Sequence, residues 1–161
     1  MKIDIDKVIK FCIVFLLGFL SANVGLYFVY GDEMPFSMGI NDSKQAPSDF
    51  VKENQIEIFP DKIVINVDGA SLSKYAPTGS MKPILDENSN GIRIRPDSEG
   101  DISIGDIISF RQDNYLIVHR VIDKGTDEQG TYFITKGDNA SLADRKVRFE
   151  DIEYITIGVI W

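Results

Sequence analysis

The chain is poor in the residues that staple or metallate small domains: its 161 residues include one cysteine and one histidine. Cys12 has no partner for an internal disulfide, so the fold must rest on packing, and cysteine usage says nothing about redox compartment. A lone His and a lone Cys, far apart, cannot supply a zinc ligand set, so no metal and no other cofactor is expected. Basic residues are also scarce, 17 Lys and Arg against 25 Asp and Glu, for a formal charge of −8. Lys2, Lys7 and Lys10 against Asp4 and Asp6 make the first ten residues +1, leaving −9 for the remainder. A domain this acidic, with no basic stripe of interleaved aromatics, is not expected to bind nucleic acid. Hydrophobic residues make up 43%, enough for one packed core, and the length suits one domain.

From Phe11 to Tyr30 the sequence reads FCIVFLLGFLSANVGLYFVY, without a charge. As a helix rising about 1.5 Å per residue, such a run spans a hydrocarbon core of roughly 30 Å. A cleaved secretory signal is the competing reading, with Ser21-Ala22-Asn23 as its cleavage site, but apolar residues continue to Tyr30, which favours a retained transmembrane anchor. Tyr27 and Tyr30 suit the headgroup level. Lysines before the run, and Asp32 and Glu33 after it, put residues 1–10 in the cytoplasm and the following domain on the outer face of the membrane. Residues 31–53, with Pro35, Gly39, Pro47 and Ser48, read as a linker or lead-in.

Residues 54–161 carry the period of strands. Ile63, Ile65 and Val67 alternate with Val64 and Asn66, and Ile92 and Ile94 with Arg93 and Arg95. Residues 106–110, 115–122, 131–136 and 154–160 are short β-branched or aromatic runs. Asn88 to Gly91, Asp113-Asn114 and Gly125 to Gly130 punctuate them as turns. A mainly β domain, barrel or packed sheets, is expected, with a helical turn near 148–152.

Within this frame one hydroxyl, one imidazole and several carboxylates could combine as a serine nucleophile with a histidine base. Gly79, Pro77 and Pro83 make Ser80 part of a fixed turn where its hydroxyl can be approached, and where its own N–H can face a developing oxyanion. In 115–122, alternation puts Tyr115, Ile117, His119 and Val121 on one face. An imidazole among such neighbours is shielded, and its ordinary pKa of about 6.5 suits base work at neutral pH. Taken alone, each feature has a plainer structural reading, as a surface turn or a half-buried histidine. Asp138 and Asp144 could each orient the imidazole; Asp123 and Asp127 are rivals on composition, and spacing does not choose among them. A lysine base is less suitable: Lys82 sits two residues after Ser80, and Lys136 adjoins a polar turn.

Pro77-Thr-Gly-Ser-Met-Lys-Pro83, Gly105-Asp-Ile-Ile-Ser-Phe110, Ile117-Val-His-Arg-Val121 and Lys136-Gly-Asp-Asn139 with Asp144 resemble the successive boxes of type I signal peptidases, in the archaeal and endoplasmic-reticulum branch. Bacterial members keep a lysine where this chain has His119. The resemblance covers about Tyr75 to Trp161 and the placement of the anchor. It implies a partly open, barrel-like β domain and a serine endopeptidase that removes signal peptides from exported preproteins. Ser80 would be the nucleophile, His119 the base, Asp144 the supporting acid and Asp138 a nearby carboxylate that shapes the site. Thr78 matches a hydroxyl position that helps bind the oxyanion in bacterial relatives. Asn139 is followed by Ala140 where relatives often have a second Asn. Implied partners are preproteins, the lipid bilayer and, without identification, translocon or accessory subunits; family members favour small side chains at the first and third positions before the cut. Two other readings stand beside this one: a serine protease of narrower precursor range, and a non-catalytic membrane-tethered β module.

Overall fold

Alternating β-branched residues broken by tight turns build two antiparallel sheets and one long helix in the computed structural model, which describes residues 5–30 and 44–161, with side chains at 5–22 and 44–161. Contacts divide the chain into two units, Met1–Asp42 and Ser43–Trp161.

The first unit contains α1 (Ile5–Tyr30). Among the described residues, no helix is long and apolar enough to cross a membrane. Asp6, Lys7 and Lys10 occupy the first turns of α1, and the side chains described beyond them end at Ala22. That uncharged stretch is only about 18 Å long, against a hydrocarbon core of roughly 30 Å. The expected helix is therefore present, but the expected transmembrane span is not a property of its described part. The side chains of Tyr27 and Tyr30, and residues 31–43 with Asp32 and Glu33, lie outside the described residues.

In the second unit, β1 (Ile56–Ile58) and β2 (Ile63–Ile65) form a two-stranded ribbon. The main sheet has six strands: β3 (Ser71–Lys74), β4 (Asn90–Ile94), β5 (Ile107–Gln112), β6 (Tyr115–Asp127), β7 (Gly130–Lys136) and β8 (Ile152–Ile160). Their order is β3-β4-β8-β5-β6-β7, every pairing is antiparallel, and the sheet does not close into a barrel. A short 3₁₀ turn at Phe149–Asp151 occupies the place expected for a helical turn. The loop expected over 125–130 is mostly strand, because β6 continues through Gly125↔Tyr132 to Asp127↔Gly130. Only the last few residues turn the chain.

Ile107 and Ile108 are neighbours on β5 but enter different apolar clusters, as strand alternation requires. The larger cluster gathers Ile102, Ile108, Phe110, Val121, Phe133, Val147, Ile152 and Ile155. Each large side chain buried there contributes about 1.5–3 kcal/mol relative to exposure. The smaller cluster seats Met81 and Leu85 on Ile107, with Tyr75, Val118 and Val159 around them. Met81 follows Ser80, so this packing anchors the serine turn on the sheet.

The open edge of β7 is covered. The segment 143–147 runs beside it, with Phe133 and Val147 exchanging backbone hydrogen bonds of 2.9 and 2.8 Å, and Lys136 bridging to Ala143. Such cover blunts an edge that would otherwise present unpaired backbone groups. The described part of the lead-in also packs on the β unit. Buried Asp106 accepts from the Ser48 backbone at 2.6 Å, the Ser48 hydroxyl at 3.2 Å and the Ser103 backbone at 2.8 Å.

Arg148 Nη2 donates to both carboxylate oxygens of Asp127, each at 2.9 Å, and Lys146 Nζ joins at 2.6 Å. The Arg148 bonds, then those of Lys146, hold the Asp127 carboxyl well below its ordinary pKa of 3.8. Because the native pKa is the lower one, this contribution to stability is complete above the ordinary carboxylate range and declines as pH falls below it. In urea unfolding, the gap between wild type and Asp127→Asn is expected to hold from pH 6 to about 4 and to narrow as the pH falls from there to about 2. An unchanged gap between the two across that range would refute the assignment.

Candidate active site

β6 carries both cationic or potentially cationic groups of the site. His119 pairs with Ile108 and Arg120 with Ile107, so the two side chains leave opposite faces of the strand. Each takes a different carboxylate from the segment after β7.

His119 Nδ1 lies 2.6 Å from Asp144 Oδ2, and the same oxygen accepts from the Thr135 hydroxyl at 2.7 Å. The backbone delivers Asp144 to this place: its N–H donates to the Thr135 carbonyl at 2.7 Å, part of the cover on the β7 edge. An ionised carboxylate on Nδ1 requires the ring proton there, which leaves Nε2 as an acceptor. Nε2 faces the Ser80 hydroxyl at 3.3 Å. The His119 and Asp144 side chains are 13% and 17% exposed, shielded yet reachable. Phe110 flanks the imidazole, ring centroids 6.4 Å apart and planes tilted by 59°.

Arg120 instead makes a two-pronged pair with Asp138, Nε and Nη2 each donating at 2.8 Å. These side chains are 6% and 2% exposed. The remaining Arg120 nitrogen donates to the carbonyls of Gly105 at 2.8 Å and Gln45 at 3.3 Å. Asp138 is therefore committed to a buried arginine and Asp144 to the imidazole.

The serine turn meets this framework through backbone. Gly79 adopts φ +72°, which other L residues rarely hold, and turns the chain into Ser80. The Asn139 N–H donates to the Ser80 carbonyl at 2.8 Å, and Asn139 Nδ2 to the Gly79 carbonyl at 3.2 Å. A Cβ on Gly137 would stand 2.6 Å from the Ser80 carbonyl oxygen and 3.0 Å from His119 Nε2, so only glycine lets the two turns close together. The Thr78 hydroxyl lies 3.2 Å from Ser80 Oγ and accepts from the Ser80 N–H at 3.4 Å.

A cavity of about 430 Å³ opens beside Ser80 and His119. Tyr75, Met81, Leu85 and residues 115–118 give it mainly apolar walls, and Thr78, Ser80 and His119 supply polar groups at its boundary. Such a space suits an extended peptide with apolar side chains.

Ser80, His119, Asp144 and Thr78 thus come together, with Asp138 behind them. The rival acids stand elsewhere: Asp127 binds Arg148 and Lys146, and Asp123 accepts from the Lys124 N–H at 2.8 Å. Lys82 is exposed, and the backbone of Lys136 pairs with Arg120 across β6 and β7. Arg120, Thr135 and Gly137 were not expected as site residues. Arg120 adjoins the histidine and Gly137 lies in the acidic turn, so both had a signal in sequence; Thr135 had none beyond membership of a strand. Among the described residues, no cluster of His, Cys, Asp and Glu is arranged to hold a metal. Comparison of the chain with family models, curated proteins and solved structures finds no match.

Removing Asp138 strands a buried guanidinium, whereas removing Asp144 leaves an imidazole that water can still reach. Asp138→Ala is expected to lose about 3–5 kcal/mol of unfolding free energy, the usual cost of breaking a buried pair. Asp144→Ala is expected to lose about 1–3 kcal/mol, chiefly by leaving the Thr135 hydroxyl without its acceptor. Denaturant melts of the two variants provide the check, and the opposite ranking would contradict the assignment of the two acids.

Proposed function

We propose that the protein is a membrane-anchored serine endopeptidase of the type I signal-peptidase kind, cutting signal peptides from exported preproteins. The observation that carries this reading is His119 bridging Ser80 Oγ at 3.3 Å and Asp144 at 2.6 Å. In the proposed reaction Ser80 Oγ attacks the scissile carbonyl while Nε2 takes its proton. Asp144 keeps the proton on Nδ1 and stabilises the imidazolium that forms. The Thr78 hydroxyl donates toward the oxyanion, joined by the Ser80 N–H as it leaves its long 3.4 Å bond to Thr78. His119 returns its proton to the leaving amine, and the same base then activates the water that hydrolyses the acyl-enzyme.

The order of the four sequence boxes supports the family reading, and the apolar cavity suits the apolar, small-side-chain end of a signal peptide. The anchor rests on the uncharged run over residues 11–30, the N-terminus being cytoplasmic and the β unit on the outer face, or in the lumen in a eukaryote. Tethering would hold enzyme and preprotein on one surface and raise their effective concentration.

Cleavage of a preprotein by membranes bearing the full chain tests the reading. Ser80→Ala and His119→Ala are each expected to lower kcat by about 10³-fold or more while the variants remain folded. Intact processing by Ser80→Ala would end the enzyme reading and favour the non-catalytic module. A panel of unrelated preproteins separates a general signal peptidase from a protease of narrow range. With an imidazole base, the rate should fall when the solution is made acidic enough for Nε2 to hold a proton. Activity that rises only above about pH 9 would instead point to an amine base.

A further inference from the structure

The lead-in residues 44–48 touch the site from behind, at the turn that holds Ser80. Lys44 Nζ donates to the Asp138 carbonyl at 2.6 Å, while its distance to the Asp138 carboxylate is 4.0 Å. That carboxylate already accepts both Arg120 bonds, so the close contact of the ammonium is with the peptide oxygen. The Asp138 carbonyl and the Asn139 N–H belong to one peptide group. Its oxygen accepts from Lys44, and its N–H donates to the Ser80 carbonyl at 2.8 Å. A single rigid plane thus links the lysine to the backbone of the serine.

We propose that Lys44 is a positioning residue for Ser80, acting through the peptide group between Asp138 and Asn139. An ammonium on the carbonyl end fixes the tilt of that plane and polarises it, which strengthens the N–H as a donor. The bond to the Ser80 carbonyl then holds the nucleophile at its distance from Nε2. Two further contacts make the arrangement stiff enough to transmit a small shift. Arg120 ties the Asp138 side chain to the Gln45 and Gly105 carbonyls, and Ser48 is fixed on buried Asp106. The described stretch 44–48 is thus held at Gln45 and at Ser48, with Lys44 beside the first of these contacts. The Lys44 ammonium remains partly open to solvent, with the side chain 39% exposed, so the expected effect is moderate.

The kinetic part of this proposal rests on Ser80 being the nucleophile; the structural part does not. The test compares wild type, Lys44→Met and Lys44→Arg as full chains in detergent, with Ser80→Ala as the control. Lys44→Met keeps the aliphatic stem and removes the charge and the donor. It is expected to lower kcat by about three- to tenfold with KM within about twofold, and Lys44→Arg to restore most of the loss. In the NMR spectrum, the Asn139 amide proton is expected to move upfield in Lys44→Met as its bond to Ser80 loosens, and to return in Lys44→Arg. Unchanged kcat and an unmoved Asn139 amide would overturn the proposal, while loss of cleavage in Ser80→Ala would leave the enzyme reading standing. If Ser80→Ala cleaves normally, the enzyme reading fails, and the Asn139 amide alone decides the role of Lys44.

Discussion

Two adjacent residues of β6 leave opposite faces of the strand, and each holds one carboxylate from the segment after β7. This alternation is the constraint on which the site depends. Were β6 to slip by one residue against β5, His119 and Arg120 would exchange faces and both acids would lose their partners. The slip is opposed by Val118 in the smaller core and Val121 in the larger. Ordinary apolar packing thereby fixes the position of the imidazole.

The two acid pairs perform different physical work. Arg120 and Asp138 are almost wholly removed from water, a costly state that is tolerated because backbone carbonyls of Gln45 and Gly105 take the remaining guanidinium donor. Among the described residues, every buried side-chain nitrogen and oxygen has a hydrogen-bond partner. The pair joins lead-in, β5–β6 region and acidic turn into one block. His119 and Asp144 are left partly accessible, beside an apolar cavity where a substrate carbonyl could approach Ser80. Buried rigidity behind the site supports accessible chemistry in front of it.

Strand period and turn chemistry made most of the main sheet legible from sequence, because 107–110, 115–122 and 131–136 each alternate or cluster apolar side chains. β3 was not legible: Ser71, Ser73 and Lys74 give an edge strand with a single apolar residue. The second half of β6 was hidden because the apolar run ends at Ile122 and Gly125 to Gly130 read as a turn, whereas Asp123 to Asp127 pair with β7. Ser80 and His119 could be picked out as residue types, whereas spacing did not choose between Asp138 and Asp144 and only the family resemblance favoured Asp144. That choice depends on the path of residues 143–147 along the β7 edge, a tertiary fact with no local signature. The helix was legible from its apolar run, although the described side chains stop short of a membrane span.

The proposed chemistry requires His119 to present an unprotonated Nε2 to Ser80 while Asp144 holds the proton on Nδ1. Because the chain contains one histidine, its imidazole nitrogens can be assigned in the folded protein without ambiguity. The ¹⁵N shifts of that ring, measured above the pH at which it binds a second proton, test the claim directly. The Nδ1–H form is expected, with Nε2 shifted as a bare acceptor and with the Nδ1–H form lost in Asp144→Ala. A ring in the Nε2–H form in the wild-type protein would contradict it.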